Sequence, residues 1–171
     1  MKNFKEFLNE SSLSRIKSKS DKGGIATMSA SRADKSAKEN RARAKQLDKD
    51  IKGRGLPGAT KVTGSYVEKG DDGKEKKVKE RSHVVTAGKK GKRAFKKAVK
   101  SLGKKYGQDS VLTQTKKTGT LSATRKGGLG TNPKNKRPLG STKRVGLGKF
   151  KPQGKNPEGQ SQIKGKTFTY G

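Results

Sequence analysis

The residues able to do chemistry are few, and their types narrow the choice at once. His83 is the single histidine of the 171-residue chain and cysteine is absent, which removes thiolate nucleophiles, disulfides and every cysteine-based zinc or iron–sulfur site. His83 opens the run HVVTAG, whose β-branched pattern makes it a strand residue rather than a general base. The acids Glu68, Asp71, Asp72, Glu75 and Glu80 gather between two apolar runs, where a solvated turn is the plainer reading than a weak oxygen-ligated metal site. No metal and no cofactor is therefore expected. GKKGKR at 88–93 precedes a helical pattern but lacks the spacing of a Walker loop, and GGLG at 127–130 lacks the strand-then-helix setting of a dinucleotide fingerprint. Together these observations point away from an enzyme and from a small-molecule substrate.

Cationic side chains, by contrast, are abundant. Lysine and arginine number 45 against 14 acids, a formal charge of +31 that calls for a polyanionic partner. Two segments concentrate it. Lys89, Lys90, Lys92, Arg93, Lys96, Lys97, Lys100, Lys104 and Lys105 fall within 89–106 with no acid among them, where solvated helix faces usually mix both signs. Arg125, Lys126, Lys134, Lys136, Arg137, Lys143 and Arg144 open a second stretch, 125–160, that holds one acid, Glu158. Such an arm binds a phosphate backbone by counterion release without reading bases, and the scarcity of aromatics argues against base stacking. The expected partner is nucleic acid, DNA favoured over RNA.

The elements that must position these groups follow from periodicity. Phe4, Phe7 and Leu8 form a short amphipathic stripe in residues 1–10, and Ser, Lys and Gly dominate 11–31, which reads as a linker. A helix-favouring stretch runs from Ser31 to Gly53 with Ala37, Ala44, Leu47 and Ile51 as a thin apolar stripe and Asn40 and Arg43 on its polar faces. Thr60–Glu68 and Val78–Ala87 read as a hairpin, and Phe95, Ala98, Val99, Leu102 and Tyr106 mark the clearest helix of the chain. Residues 109–113 and 119–124 are short strand candidates, 125–160 reads as a disordered basic loop, and 161–171 as a C-terminal strand. The predicted fold is α+β, a small antiparallel sheet with one or two helices on one face, over a domain at 32–124 to which the last strand returns. With 25% hydrophobic residues the core is small, and no apolar run is long enough to span a bilayer.

The opening MKNFKEFLNE, followed by Ser11, resembles the capsid-targeting peptides on internal head proteins of T-even-type tailed phages. The resemblance implies a processing site at Leu8, Glu10 and Ser11, with cleavage after Glu10, contacts of residues 1–10 with capsid or scaffold proteins, and a place in the virion interior or host cytoplasm. Residues 40–114 resemble a family of small uncharacterised α+β proteins of bacteria and phages, with Tyr106, Gln108, Asp109 and Ser110 as the matching signature. The expectation is thus a virion-associated, sequence-independent nucleic-acid-binding protein. Its alternatives are a ribosomal-type RNA-binding protein and an early effector that inhibits a host nucleic-acid enzyme.

Overall fold

Sparse apolar residues at the right spacing suffice for the first element. Leu13, Ile16 and Ser20 recur along one face of SLSRIKSKSDK, and this segment is helix α1 (Ser12–Lys22). Ile25–Ser29 follows as strand β1, buried almost throughout. The linker expected over 11–31 is therefore replaced, from Ser12 on, by a helix and a central strand. Its lysines, with Ser14 and Ser18, occupy the solvent side of α1, and their number masks a narrow buried stripe. The computed structural model describes residues 12–69, 73–125, 144–148, 150–152, 159–163 and 166–170.

Helix α2 (Ala37–Gly53) opens with a capping box, in which the Ser36 hydroxyl accepts from the Glu39 amide and the Glu39 carboxylate accepts from the Ser36 amide. Ala44, Leu47 and Ile51 are its buried face, whereas Ala37 is exposed. The left-handed residue after its end is Gly55, at φ 68, rather than Gly53. Strands β2 (Thr60–Lys69) and β3 (Glu75–Thr86) make the expected hairpin. Helix α3 (Lys92–Lys105) buries Phe95, Val99 and Leu102, and β4 (Ser110–Gln114) and β5 (Gly119–Ala123) pair behind it.

The expected basic loop and single last strand are corrected in part. Residues 144–148 form β6, 150–152 β7 and 159–163 β8, and Lys166–Tyr170 forms a separate β9. Backbone pairing needs no apolar side chain, so Gly146 and Gly148 add to the ladder of β5 despite a composition that reads as disordered.

Among the described residues all pairings are antiparallel in one nine-stranded sheet, ordered β6-β5-β4-β1-β3-β2-β8-β9-β7. Its edge strands β6 and β7 are separated in the chain by residue 149 alone, so Gly148 and Phe150 stand no more than about 7 Å apart. The sheet must therefore curl until its edges meet. Helix α1 touches β1, β3 and β7, strands too far apart in a flat sheet to reach one helix, so α1 lies on the concave side. There Leu13 and Ile16 pack with Ile25, Val62, Val84, Ile163 and Phe168. On the convex side α2 and α3 close over Ala26, Met28, Val85 and Val111. Helices thus cover both faces, not one, and the fold class is α+β as expected.

Candidate functional site

Alternation along β2 and β3 decides which side chains share a face. Val84 and Val62 belong to the inner core, so Ser82, Glu80 and Gly64 have the same parity and face inward. Register then lines up one row across four strands: Glu80 on β3, Gly64 on β2, Ser161 on β8 and Phe168 on β9. Neighbouring positions in such a row are about 4.8 Å apart. Glu80 is half-buried, and Ser161 and Phe168 are 8% and 0% exposed.

Gly64 is what lets the row close up. A methyl group there would stand 2.9 Å from the Ser82 hydroxyl oxygen and 3.7 Å from Cγ of Glu80. Its absence brings a hydroxyl and a carboxylate-bearing side chain together over bare backbone. The next row pairs Tyr66 with Val78 on one side and with Gly159 on the other, and Glu68 lies opposite Lys76. A carboxylate, hydroxyls and the Phe168 ring on one curved surface suit a ligand with a cationic centre and an apolar body.

A second polar cluster ties α2 to α3. The Tyr106 hydroxyl donates to Asp50 at 2.6 Å, Lys105 pairs with the same oxygen at 2.7 Å, and Gln46 donates to the other at 3.1 Å. The Lys105 ammonium, with Tyr106 and Gln46, holds the Asp50 carboxyl down at about 2, and burial with the Asp50 bond pushes the Tyr106 phenol up. Arg43 donates to the Ala30 and Tyr106 carbonyls, both at 2.7 Å, and stacks over the Tyr106 ring. Asn40 bonds the Arg32 and Lys35 carbonyls. These groups are consumed in joining elements. His83, fully buried on the convex side of β3, has its Nε2 3.3 Å from Asp48, and burial lowers its pKa so that it is neutral at pH 7. Among the described residues no group of His, Asp or Glu is placed to hold a metal ion, and no helix is long and apolar enough to cross a membrane.

The cations singled out in the sequence do not form one surface. Lys96, Lys97 and Lys100 line a groove against β4 and β5, Lys105 is bound to Asp50, and Arg125 is bound to Asp109 at 2.6 Å. Lys92, Arg93 and Lys104 are exposed on α3, while Lys89 and Lys90 sit in the turn before it. Arg144 starts β6. Lys126, Lys134, Lys136, Arg137 and Lys143 lie outside the described residues, as do Leu8, Glu10 and Ser11. Glu80 was visible in the sequence as an acid near a turn, whereas Ser82 and Ser161 carried no local signal. Only the register joins them.

A curled antiparallel sheet with helices on both faces and a carboxylate on its inner wall defines an α+β protein with a polar row on its concave side. Residues 26–171 match the model of the S-adenosylmethionine lyase family, and the chain belongs to that family. No curated protein sequence matches it. Membership in a family of enzymes overturns the expectation of a non-enzymatic chain with nucleic acid as its partner and no small-molecule substrate. The ribosomal-type alternative falls with it. The charge count was correct, but charge reports a field and not a reaction.

Proposed function

We propose that this protein opens a carbon–sulfur bond of S-adenosylmethionine without consuming water, and that the inner row Glu80, Gly64, Ser82 and Ser161 holds the substrate. The family supports the reaction. The carrying structural observation is the half-buried Glu80 in register with Gly64 and Ser161 on the concave wall. A sulfonium is a permanent cation on a carbon framework, so it is recognised by oxygen acceptors and aromatic faces; it leaves with the bonding pair as a neutral thioether while the substrate's own carboxylate closes on the carbon it leaves. The groove lined by Lys96, Lys97 and Lys100 has the wrong sign for that task.

A protein that removes a methyl donor disables methyltransferases without touching them. That is an effector role in a host cytoplasm, and it replaces nucleic-acid mimicry as the way such an effector would act. The test incubates the purified full chain with S-adenosylmethionine in ¹⁸O-water and follows substrate and products by mass spectrometry. Substrate loss with a thioether nucleoside formed and no ¹⁸O in the products at early times is expected. Glu80→Gln should lower kcat/KM about tenfold or more, because a charge-assisted contact is replaced by a neutral one. Asp34→Asn, an exposed acid on the α2 approach, should leave it unchanged. Intact substrate, or ¹⁸O incorporated during cleavage, refutes the reading.

A further inference from the structure

Helix α3 leaves a groove of about 340 Å³ against the outer face of β4 and β5, lined by Lys96, Lys97, Lys100, Val111, Thr113, Thr120 and Ser122. We propose that this groove is a binding site for a compact oligophosphate of the nucleoside di- or triphosphate class, separate from the inner wall that takes the sulfonium.

The lining is ordered by the fold. Val111 pairs with Ser122 and Thr113 with Thr120 in register, so the β4–β5 wall is a two-by-two patch with three hydroxyls and one apolar contact. Facing it, Lys96 and Lys100 are one helical turn apart and half-buried, with Lys97 exposed at the rim. Like charges one turn apart on a helix repel, and among the described residues none of these three ammoniums forms an ion pair. Some cations of the chain do pair, as Lys105 does with Asp50 and Arg125 with Asp109. An unbalanced ammonium triad in a concave site matches a ligand carrying several negative charges within a few ångströms, as adjacent phosphates do. The Thr113 hydroxyl donates to the Thr120 carbonyl, which leaves the Thr120 and Ser122 hydroxyls as directional donors to phosphate or ribose oxygens, and Val111 gives an apolar floor.

Calorimetric titration of the full chain at about 0.15 M KCl, where long-range attraction to a polycation is largely screened, separates this site from diffuse charge. Pyrophosphate and ATP should each give saturable binding with one molecule per chain, and adenosine none. The double variant Lys96→Gln/Lys100→Gln should weaken both about tenfold or more, and Ser122→Ala should weaken them about threefold with charge unchanged. Lys38→Gln/Lys45→Gln, the same charge change on exposed α2 positions, should alter them less than about twofold. Equal losses in the two double variants, an unaffected Ser122→Ala, or no saturable binding would each overturn the proposal. None of these readouts depends on lyase activity, so the two readings fail separately.

Discussion

Gly103→Ala gives the sharpest test of how α3 seats on the sheet. In a helix interior the change to alanine is favourable by about 1 kcal/mol on backbone entropy alone. Position 103 is different because it faces β4 and the end of β5. A methyl there would stand 2.5 Å from Cγ1 of Val111 and 2.8 Å from Cγ2 of Thr124. Both neighbours are buried, at 1% and 5% exposed, and both are β-branched and stiff at χ1. Thr124 is further fixed by donating its hydroxyl to the Gln108 carbonyl. Neither can swing aside, so α3 must lift from β4 by several tenths of an ångström, and overpacking of this kind costs about 1–3 kcal/mol. Set against the helix gain, the net loss is about 1 kcal/mol, and a domain of this size should melt roughly 2–4 °C lower. Urea unfolding monitored by circular dichroism measures the difference at constant m-value. A variant more stable than the parent would refute the close approach of helix and sheet at this point.

Three further outcomes follow from the same contacts. Ile16→Ala should cost about 2–4 kcal/mol in urea unfolding, since Ile16 is 3% exposed in the inner core, although α1 lies outside the segment matched by the lyase family. An α1 that merely rests on the surface would show under 1 kcal/mol. Tyr106→Phe should cost about 1 kcal/mol, because Asp50 keeps Lys105 and Gln46 while losing its phenol donor; a neutral result on thermal melting would remove that bond from the account. Stability should also fall with pH below the ordinary histidine value of 6.5, where the unfolded chain takes up a proton that buried His83 resists, and be level above it. His83→Gln should flatten the dependence between about pH 6.5 and 5, and an unchanged profile would assign the acid sensitivity to the carboxylates.

The sequence was legible where one element carried its own pattern. The stripe Phe95, Val99, Leu102 and the β-branched runs of β2 and β3 are strong local signals, and they fold as read. Helix α1 and strands β6 to β9 were not legible, for opposite reasons. In α1 two apolar residues are enough because the curled sheet surrounds them, a context no local window contains. In β6 and β7 the ladder is made by backbone groups of Gly, Lys and Phe whose composition belongs to loops. The site failed to show for a third reason. Glu80 and Ser161 are some 80 residues apart in the chain and meet only through Gly64. A signal did exist in that glycine, placed within the β-branched run of β2 where it costs strand stability unless something comes close.

The joining of the sheet's two edges through residues 144–152 bears on how the chain assembles as it is made. Strand β2 has β3 on one flank and β8 on the other, so that second flank waits for residues 159–163 to leave the ribosome. Until then β2 and β6 each expose an unpaired edge, and the concave wall lacks β8 and β9. Closure is thus a long-range event whose loop-closure entropy is met only when residues 159–170 arrive. A chain interrupted before residue 159 would hold every residue of α1 to α3 and still lack a ring. The high charge then has a use in synthesis itself, since mutual repulsion between such unfinished chains keeps their open edges from pairing with one another.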